Sequence, residues 1–152
     1  MDTQSIEILG RNRLINELIG AGIEVAQPIR DRGIDLIAYM DRNVETKKFT
    51  AVPIQMKAAS SRSFTIDKKY AKTSNLIIAF VWGVQDPKYS GIFALTYKEI
   101  EKIAEEMGWT KTASWRKGVY STTAPGKKLV GLLNRHKMTR GDWVKKLEEA
   151  LT

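Results

Sequence analysis

Three polar residues interrupt two apolar segments in the first half of the chain, and their side chains are of types that could together form a catalytic or metal-binding site. Asp35 lies at the start of an apolar run that ends at Met40, and Gln55 and Lys57 end the next such run. Carboxylate and amide oxygens suit a hard divalent cation, and a lysine adds positive charge beside a phosphate. Because burying such groups at one sheet end costs free energy unless they bind something, the pattern favours a binding site.

The two apolar runs predict neighbouring strands that would bring these residues together. A polar turn starting at Asp41–Asn43 joins residues 34–40 to residues 49–57, as in an antiparallel hairpin. The start of one strand then lies beside the end of the other, and alternation puts Gln55 and Lys57 on one face. Two alternatives stay open: Asp35 could cap a turn after Gly33, and Gln55 and Lys57 could form the outward face of an edge strand.

The other apolar patterns predict the rest of the fold. A continuous apolar run at residues 76–82 is typical of a strand buried on both faces. We expect one domain of the α/β or α+β class, with a central mixed sheet of about five strands flanked by helices, and extra C-terminal helices. Further strands are predicted at residues 23–26 and 91–97, and helices at residues 3–20, 67–72, 98–107, 127–135 and 139–151.

Composition restricts the chemistry that the chain can perform. Its 152 residues include no Cys and one His, His136, which excludes thiolate metal sites, Cys nucleophiles and a multi-His centre within one chain. His136 itself is expected to complement a helix C-terminus. Gly126-Lys127 lacks the rest of a P-loop, and Gly20-Ala21-Gly22 lacks the third Gly of a dinucleotide motif, so no nucleotide cofactor is expected. Carboxylates, lysines, backbone groups and hard metal ions remain.

The net charge of +8 is unevenly distributed. Residues 1–60 contain eight basic and eight acidic side chains, whereas residues 61–152 contain 17 and nine. This excess favours a nucleic acid partner, although a solvated surface would also explain it. No apolar run is long enough to span a bilayer, so we expect a soluble cytoplasmic protein with no membrane partner. Candidate nucleic-acid contacts are Ser60, Ser61, Arg62, Lys68, Lys69, Lys72, Arg116 and Lys117.

An acid after a Gly, followed 20 positions later by Gln-Met-Lys, resembles the motif of the PD-(D/E)XK nuclease superfamily. This superfamily has the restriction-endonuclease-like fold, which includes archaeal-type Holliday junction resolvases, and its element order is similar over about residues 5–97. The resemblance implies that Asp35 binds the metal and that Gln55 takes the acidic position. It further implies that Met56 offers its backbone carbonyl and that Lys57 orients or helps to deprotonate the attacking water.

The chain departs from this family on its first helix. Many members carry a Glu there, but Arg11 stands at the corresponding position after Gly10. Glu7, one turn earlier on the same face, would supply the carboxylate, and Glu17 is a weaker substitute. The resemblance implies a Mg²⁺-dependent DNA endonuclease, with Mn²⁺ as a possible substitute, acting as a homodimer. The alternative is a catalytically inactive DNA-binding or partner-docking module that retains the fold.

Overall fold

A computed structural model describes residues 1–40 and 49–152, so the predicted turn at Asp41–Asn43 lies outside the described residues. The fold is α+β. The strands are β1 (Glu24–Ala26), β2 (Leu36–Met40), β3 (Thr50–Ala58), β4 (Phe64–Asp67), β5 (Ile77–Trp82), β6 (Gly91–Thr96) and β7 (Val119–Thr122). The helices are α1 (Thr3–Gly20), α2 (Tyr97–Glu106), α3 (Ala113–Lys117), α4 (Lys127–Leu133) and α5 (Trp143–Ala150).

Five strands form a mixed central sheet in the order β1-β2-β3-β5-β6. The pairing of β2 with β3 is antiparallel and sets Leu36 opposite Ile54, as the hairpin prediction requires. The strands β3 and β5 run parallel, and β5 is buried along its whole length. The prediction of a five-stranded mixed sheet flanked by helices is therefore confirmed.

The alternation of side chains along β3 divides the core into two layers. Val52, Ile54 and Met56 point to the face that α1 and α5 cover, where Leu14 and Trp143 are fully buried. The opposite face packs against α2 and α4, which contribute Ile100 and Leu133 among others. Gln55 and Lys57 lie on this second face, near the end of β3.

The first helix is held close to the sheet at two points. A Cβ atom on Gly10 would lie 2.6 Å from Cβ of Ala58, so α1 touches β3 at a position that accepts only a glycine without rearrangement. One turn later, Nη1 of Arg13 donates to the carbonyl of Trp82 at 2.9 Å. Leu9 and Ile19, which follow the apolar spacing of this helix, are nevertheless 44% and 58% exposed.

Several elements differ from the sequence prediction. The strands β4 and β7, which form a second two-stranded sheet, and the helix α3 were not predicted. The predicted helix at 67–72 is a 3-10 helix, Lys68–Lys72, while α4 ends at Leu133 and α5 begins only at Trp143. These segments are too short to show a clear periodicity. Within the described residues, no helix is both long and apolar enough to cross a membrane.

Candidate active site

Asp35 lies immediately before β2 and is bound to β3 through both its backbone and its side chain. Its N–H donates to the carbonyl of Ile54 at 2.9 Å, and its Oδ2 accepts from the N–H of Met56 at 2.7 Å. Only 9% of the residue is exposed. The carboxylate is therefore fixed at the end of the β2–β3 hairpin, rather than free to move with the preceding loop.

The amide of Gln55 reaches the same place from the neighbouring strand. Its Oε1 is buried and accepts no hydrogen bond from the described part of the chain. A Cβ atom on Gly33 would lie 3.7 Å from this oxygen, so the amide points at the loop that carries Asp35. Gly33 has φ +86°, a left-handed conformation that favours glycine. A buried acceptor without a donor costs free energy, which a bound cation would recover.

The backbone of Met56 faces the Asp35 side of β3. Successive backbone groups of a strand point alternately to its two neighbours, and a residue's N–H and C=O point the same way. Since the N–H of Met56 donates to Asp35, the carbonyl of Met56 is also directed to that side. Asp35, Gln55 and Met56 therefore each carry, at this end of the β2–β3 pair, an oxygen of a type that Mg²⁺ prefers.

The surroundings of the Asp35 carboxylate disfavour its ionised form. Burial raises its pKa above the ordinary value, and the negative charges of Asp31 and Glu7 raise it further. The hydrogen bond from Met56 and the positive charge of Arg11 oppose this shift without cancelling it. A cation beside the carboxylate would favour its ionised form.

The close approach of α1 at Gly10 explains why Glu7 and Arg11 act on Asp35. Both flank the Gly10–Ala58 contact, and Arg11 lines an open depression of about 260 Å³ together with Asp31 and Asp35. Glu17 lies elsewhere, with its Oε1 3.7 Å from Nε of Arg140. Of the two helix carboxylates considered, Glu7 is the one beside the candidate site.

Lys57 lies one pleat further along β3 than Gln55, on the same face. Its ammonium is 5.8 Å from the ring centroid of Tyr70, a residue of the 3-10 helix. No contact between Lys57 and Asp35 is found among the described residues. In this part of the chain, no three His, Cys, Asp or Glu side chains are grouped so that they could hold a metal ion, so a cation here would rely on the amide and backbone oxygens.

The candidate nucleic-acid contacts fall into two groups. Ser60 and Ser61 hold the end of β3 against the turn after β5: Oγ of Ser60 donates to Oε1 of Gln85 at 2.6 Å, and the carbonyl of Ser61 accepts from Gly83 at 2.8 Å. The basic residues form the second group, in which Arg62 is half-buried like the two serines. Arg62 lies 4.4 Å from the Tyr89 ring centroid.

The remaining basic candidates surround the second sheet. Nζ of Lys68 is 5.1 Å from the Trp115 ring centroid, and Nζ of Lys69 is 3.5 Å from Oδ2 of Asp67. Lys72, Arg116 and Lys117 are exposed.

Two residues of the site were not singled out from the sequence. Asp31 accepts a hydrogen bond from the N–H of Gly33 at 3.1 Å, which shapes the loop before Asp35. The signal was present, because Asp-x-Gly is typical of such a turn. Tyr70, under the ammonium of Lys57, lies within the short basic segment Lys-Lys-Tyr-Ala-Lys and gives no such signal.

Comparison with known proteins supports the fold rather than a family. No family model matches the chain, and no curated protein matches its sequence. A solved structure described as a bacterial homing endonuclease, I-Ssp6803I, is similar with a TM-score of 0.50 and 11% identity, over 99% of this chain and 94% of that chain. The likeness is one of fold: this chain shares with that structure the architecture of a mixed sheet with flanking helices.

Proposed function

We propose that the protein is a metal-dependent DNA endonuclease of the PD-(D/E)XK type, which hydrolyses phosphodiester bonds with Mg²⁺, or with Mn²⁺ in its place. One observation carries the proposal: the buried Asp35 carboxylate lies at the strand end where the Gln55 amide oxygen is buried without a donor. The structural likeness to a homing endonuclease agrees with this reading.

Asp35, Oε1 of Gln55 and the carbonyl of Met56 would hold the metal, and Glu7 would add a second carboxylate from α1. When bound, the cation supplies a Lewis acid for the phosphate and lowers the pKa of a bound water. The pKa of Asp35 is raised mainly by burial and further by the charges of Asp31 and Glu7, and a bound cation would offset both effects.

The basic residues around this point would serve the substrate. Lys57, on the face that Gln55 occupies, would orient the attacking water, and its ammonium would offset charge that develops on the phosphate. Arg11 borders the depression beside Asp35, where its guanidinium would bind a phosphate oxygen. We also propose a homodimer, because cutting both strands of a duplex requires two sites related by symmetry.

The test is cleavage of supercoiled plasmid with Mg²⁺, with Mn²⁺ and with chelator. We expect nicking or linearisation by the wild type, none with chelator, and none from Asp35→Ala. Lys57→Ala should lose about 100-fold in rate, as loss of a positioned acid–base group does. The matched control uses two glutamates of one helix: Glu7→Gln should lower the rate, whereas Glu17→Gln, whose carboxylate lies beside Arg140, should not.

One observation favours a second candidate, a catalytically inactive DNA-binding or partner-docking module. Arg11 stands where many nucleases of this type carry a glutamate, which removes a ligand and adds positive charge beside Asp35. Duplex binding by the wild type without cleavage in either metal would support the module and overturn the nuclease proposal.

A further inference from the structure

The positive charge of the chain is concentrated in two short segments. Residues 61–72 and 109–128 contain nine basic side chains and one carboxylate, that of Asp67. Their excess of eight equals the formal net charge of the whole chain, +8, so the rest of the molecule is balanced. A surplus restricted in this way points to a polyanion that meets one face of the protein.

The second sheet brings these two segments together. The strands β4 and β7 pair antiparallel, with Thr65 opposite Ser121 and Asp67 opposite Val119. A further bond from the N–H of Lys68 to the carbonyl of Gly118, at 2.8 Å, closes one end. We call this two-stranded sheet, residues 64–67 and 119–122, the ribbon.

The inner face of the ribbon is fixed to the core by aromatic contacts. The ring centroid of Phe64 is 4.9 Å from that of Phe80 on β5, and Tyr120 stacks on Trp109 at 3.9 Å. Trp82 donates from Nε1 to the carbonyl of Ser63 at 2.7 Å, just before β4 begins. These contacts hold the ribbon, as a separate sheet, against the second face of the central sheet.

The outer face carries small side chains that can contact base edges. Oγ1 of Thr65 and Oγ of Ser121 lie 3.1 Å apart on the surface, and Val119 is 47% exposed. Ser and Thr hydroxyls donate to and accept from bases, and a small apolar side chain can contact the methyl group of thymine. By the same alternation Asp67, which pairs with Val119, lies on this face too, with its Oδ2 3.5 Å from Nζ of Lys69.

Basic side chains flank both ends of the ribbon. Lys68, Lys69, Arg116 and Lys117 lie at the end where Asp67 pairs with Val119. Arg62 lies at the other end, where its Nη1 is 3.5 Å from the carbonyl of Pro125, which Lys127 and Lys128 follow. Four-residue strands are about 13 Å long, close to the major groove width of about 12 Å, so cations at the two ends can meet the phosphates on either side.

We infer that the ribbon enters the major groove of B-form DNA and reads its sequence with Thr65, Ser121 and Val119, while the flanking cations hold the phosphates. The inference rests on the proposed function for DNA as the partner. An RNA duplex fits poorly, because its A-form major groove is too deep and narrow to admit side chains.

The ribbon is also joined directly to the candidate active site. Six residues separate Lys57 at the end of β3 from Phe64 at the start of β4. Two backbone hydrogen bonds hold this connection against β5 and the turn that follows it. The N–H of Ala59 donates to the carbonyl of Val81 at 2.9 Å, and the N–H of Gly83 donates to the carbonyl of Ser61 at 2.8 Å. The distance along the DNA between the bases that the ribbon contacts and the phosphate that is cut would thus be fixed.

The test is selection of bound sequences from a pool of B-form duplexes with a randomised 20-base-pair core, in chelator so that nothing is cut. We expect the wild type to enrich a motif, and Thr65→Val/Ser121→Ala to lose part of that motif while total binding at low salt stays within about twofold. Arg116→Ala/Lys117→Ala should weaken binding to all sequences and reduce the slope of log K against log salt by about 1.8.

A control pair with the same charge change is Lys98→Ala/Lys102→Ala, two exposed lysines of α2 that should leave both motif and slope unchanged. Any one of three results would overturn the inference. They are an unchanged motif in Thr65→Val/Ser121→Ala, a loss of salt dependence in the control pair equal to that in Arg116→Ala/Lys117→Ala, and equal binding of a matched RNA duplex. Plasmid cleavage by the ribbon variants, lost only on Asp35→Ala, would then show that the nuclease proposal stands without it.

Discussion

The charge of Asp35 lowers the stability of the folded state. Its pKa is raised in the fold by burial and by Asp31 and Glu7, so the folded protein holds the proton more tightly than the unfolded chain does. Stability from this group is therefore greatest at low pH and falls as the pH rises through the folded pKa. Once ionised, the carboxylate destabilises the metal-free protein, as is common for functional residues.

Replacing this carboxylate by an amide should therefore stabilise the metal-free protein while abolishing cleavage. In Asp35→Asn the side-chain oxygen still accepts from Met56, but the buried charge is gone. We expect a higher Tm than wild type in chelator at pH 7. Mg²⁺ at 100 times its Kd should stabilise the wild type by about 2.7 kcal/mol and the variant hardly at all. A lower Tm in chelator, or an equal response to Mg²⁺ in both proteins, would contradict the assignment of Asp35.

How far the sequence predicts the site depends on which contacts each residue makes. Hairpin register and strand alternation predict that Asp35 meets Gln55, and in the structure Oε1 of Gln55 would lie 3.7 Å from a Cβ atom on Gly33. The charge of Asp31 acts through a loop whose course depends on the positive φ of Gly33, which a spacing pattern does not reveal. The position of Lys57 over Tyr70 likewise depends on the 3-10 helix Lys68–Lys72, which the sequence pattern does not place relative to β3.

At the scale of elements, the contact of α1 with β3 sets where Glu7 and Arg11 lie. Alanine favours helices over glycine by about 1 kcal/mol, but a Cβ atom on Gly10 would lie 2.6 Å from Cβ of Ala58. Overpacking of this kind costs about 1–3 kcal/mol and would lift the helix from the strand. The position of α1 relative to the candidate site therefore depends on the absence of a side chain at Gly10.

Gly10→Ala should therefore destabilise the protein and slow cleavage, whereas Gly131→Ala should do neither. Gly131 lies inside α4 with nothing within 4 Å of an added Cβ, so this control should gain up to about 1 kcal/mol. Urea unfolding and plasmid cleavage measure the two effects. An unchanged cleavage rate in Gly10→Ala, despite a measurable loss of stability, would show that α1 does not position the site.

The predictability of an element follows its length and burial. The six-residue strand β5, buried on both faces, appears in the sequence as an unbroken apolar run. The strands β4 and β7 have four residues each, with only Phe64 and Ile66 standing as apolar residues between polar neighbours, and they pair across more than 50 positions of sequence. Such a pairing is set by the tertiary contacts of its inner face, so local patterns do not reveal it.

At the scale of the whole molecule, an ion cluster joins the two helical layers past the edge strand β6. The carboxylate of Glu99 on α2 accepts from Nζ of Lys146 on α5 at 2.9 Å, and its Oε2 is 3.0 Å from Nδ1 of His136. The backbone of Thr96 donates to it as well. Burial alone would raise the pKa of Glu99, but these bonds bring it down to about 2. His136 thus acts within this cluster rather than only at a helix end.

This cluster should make the fold sensitive to acid. Because the folded pKa of Glu99 lies below its ordinary value of 4.5, its contribution is present above about pH 5 and is lost as the pH falls towards 2. The loss is on the order of 3 kcal/mol. Urea unfolding between pH 7 and 3 should show a smaller pH dependence in Glu99→Gln than in the wild type.

A matched pair of lysines on α5 provides the control for that experiment. Lys146 is 6% exposed and bound to Glu99, whereas its neighbour Lys145 is exposed. Lys146→Met should lose about 3 kcal/mol at pH 7, since it leaves a partly buried carboxylate without its ammonium, and Lys145→Met should lose less than 0.5 kcal/mol. Equal losses in the two variants would mean that the cluster contributes nothing specific.

The concentration of the surplus charge beside the ribbon has a consequence before any contact forms. A neutral body with cations gathered on one side is an electric dipole, and a dipole turns in the field of a polyanion. The protein would approach a duplex already rotated, with the ribbon leading. A larger fraction of encounters with DNA then has the productive orientation. Added salt screens the field, over about 8 Å at physiological ionic strength, so the association rate constant should fall as salt is added.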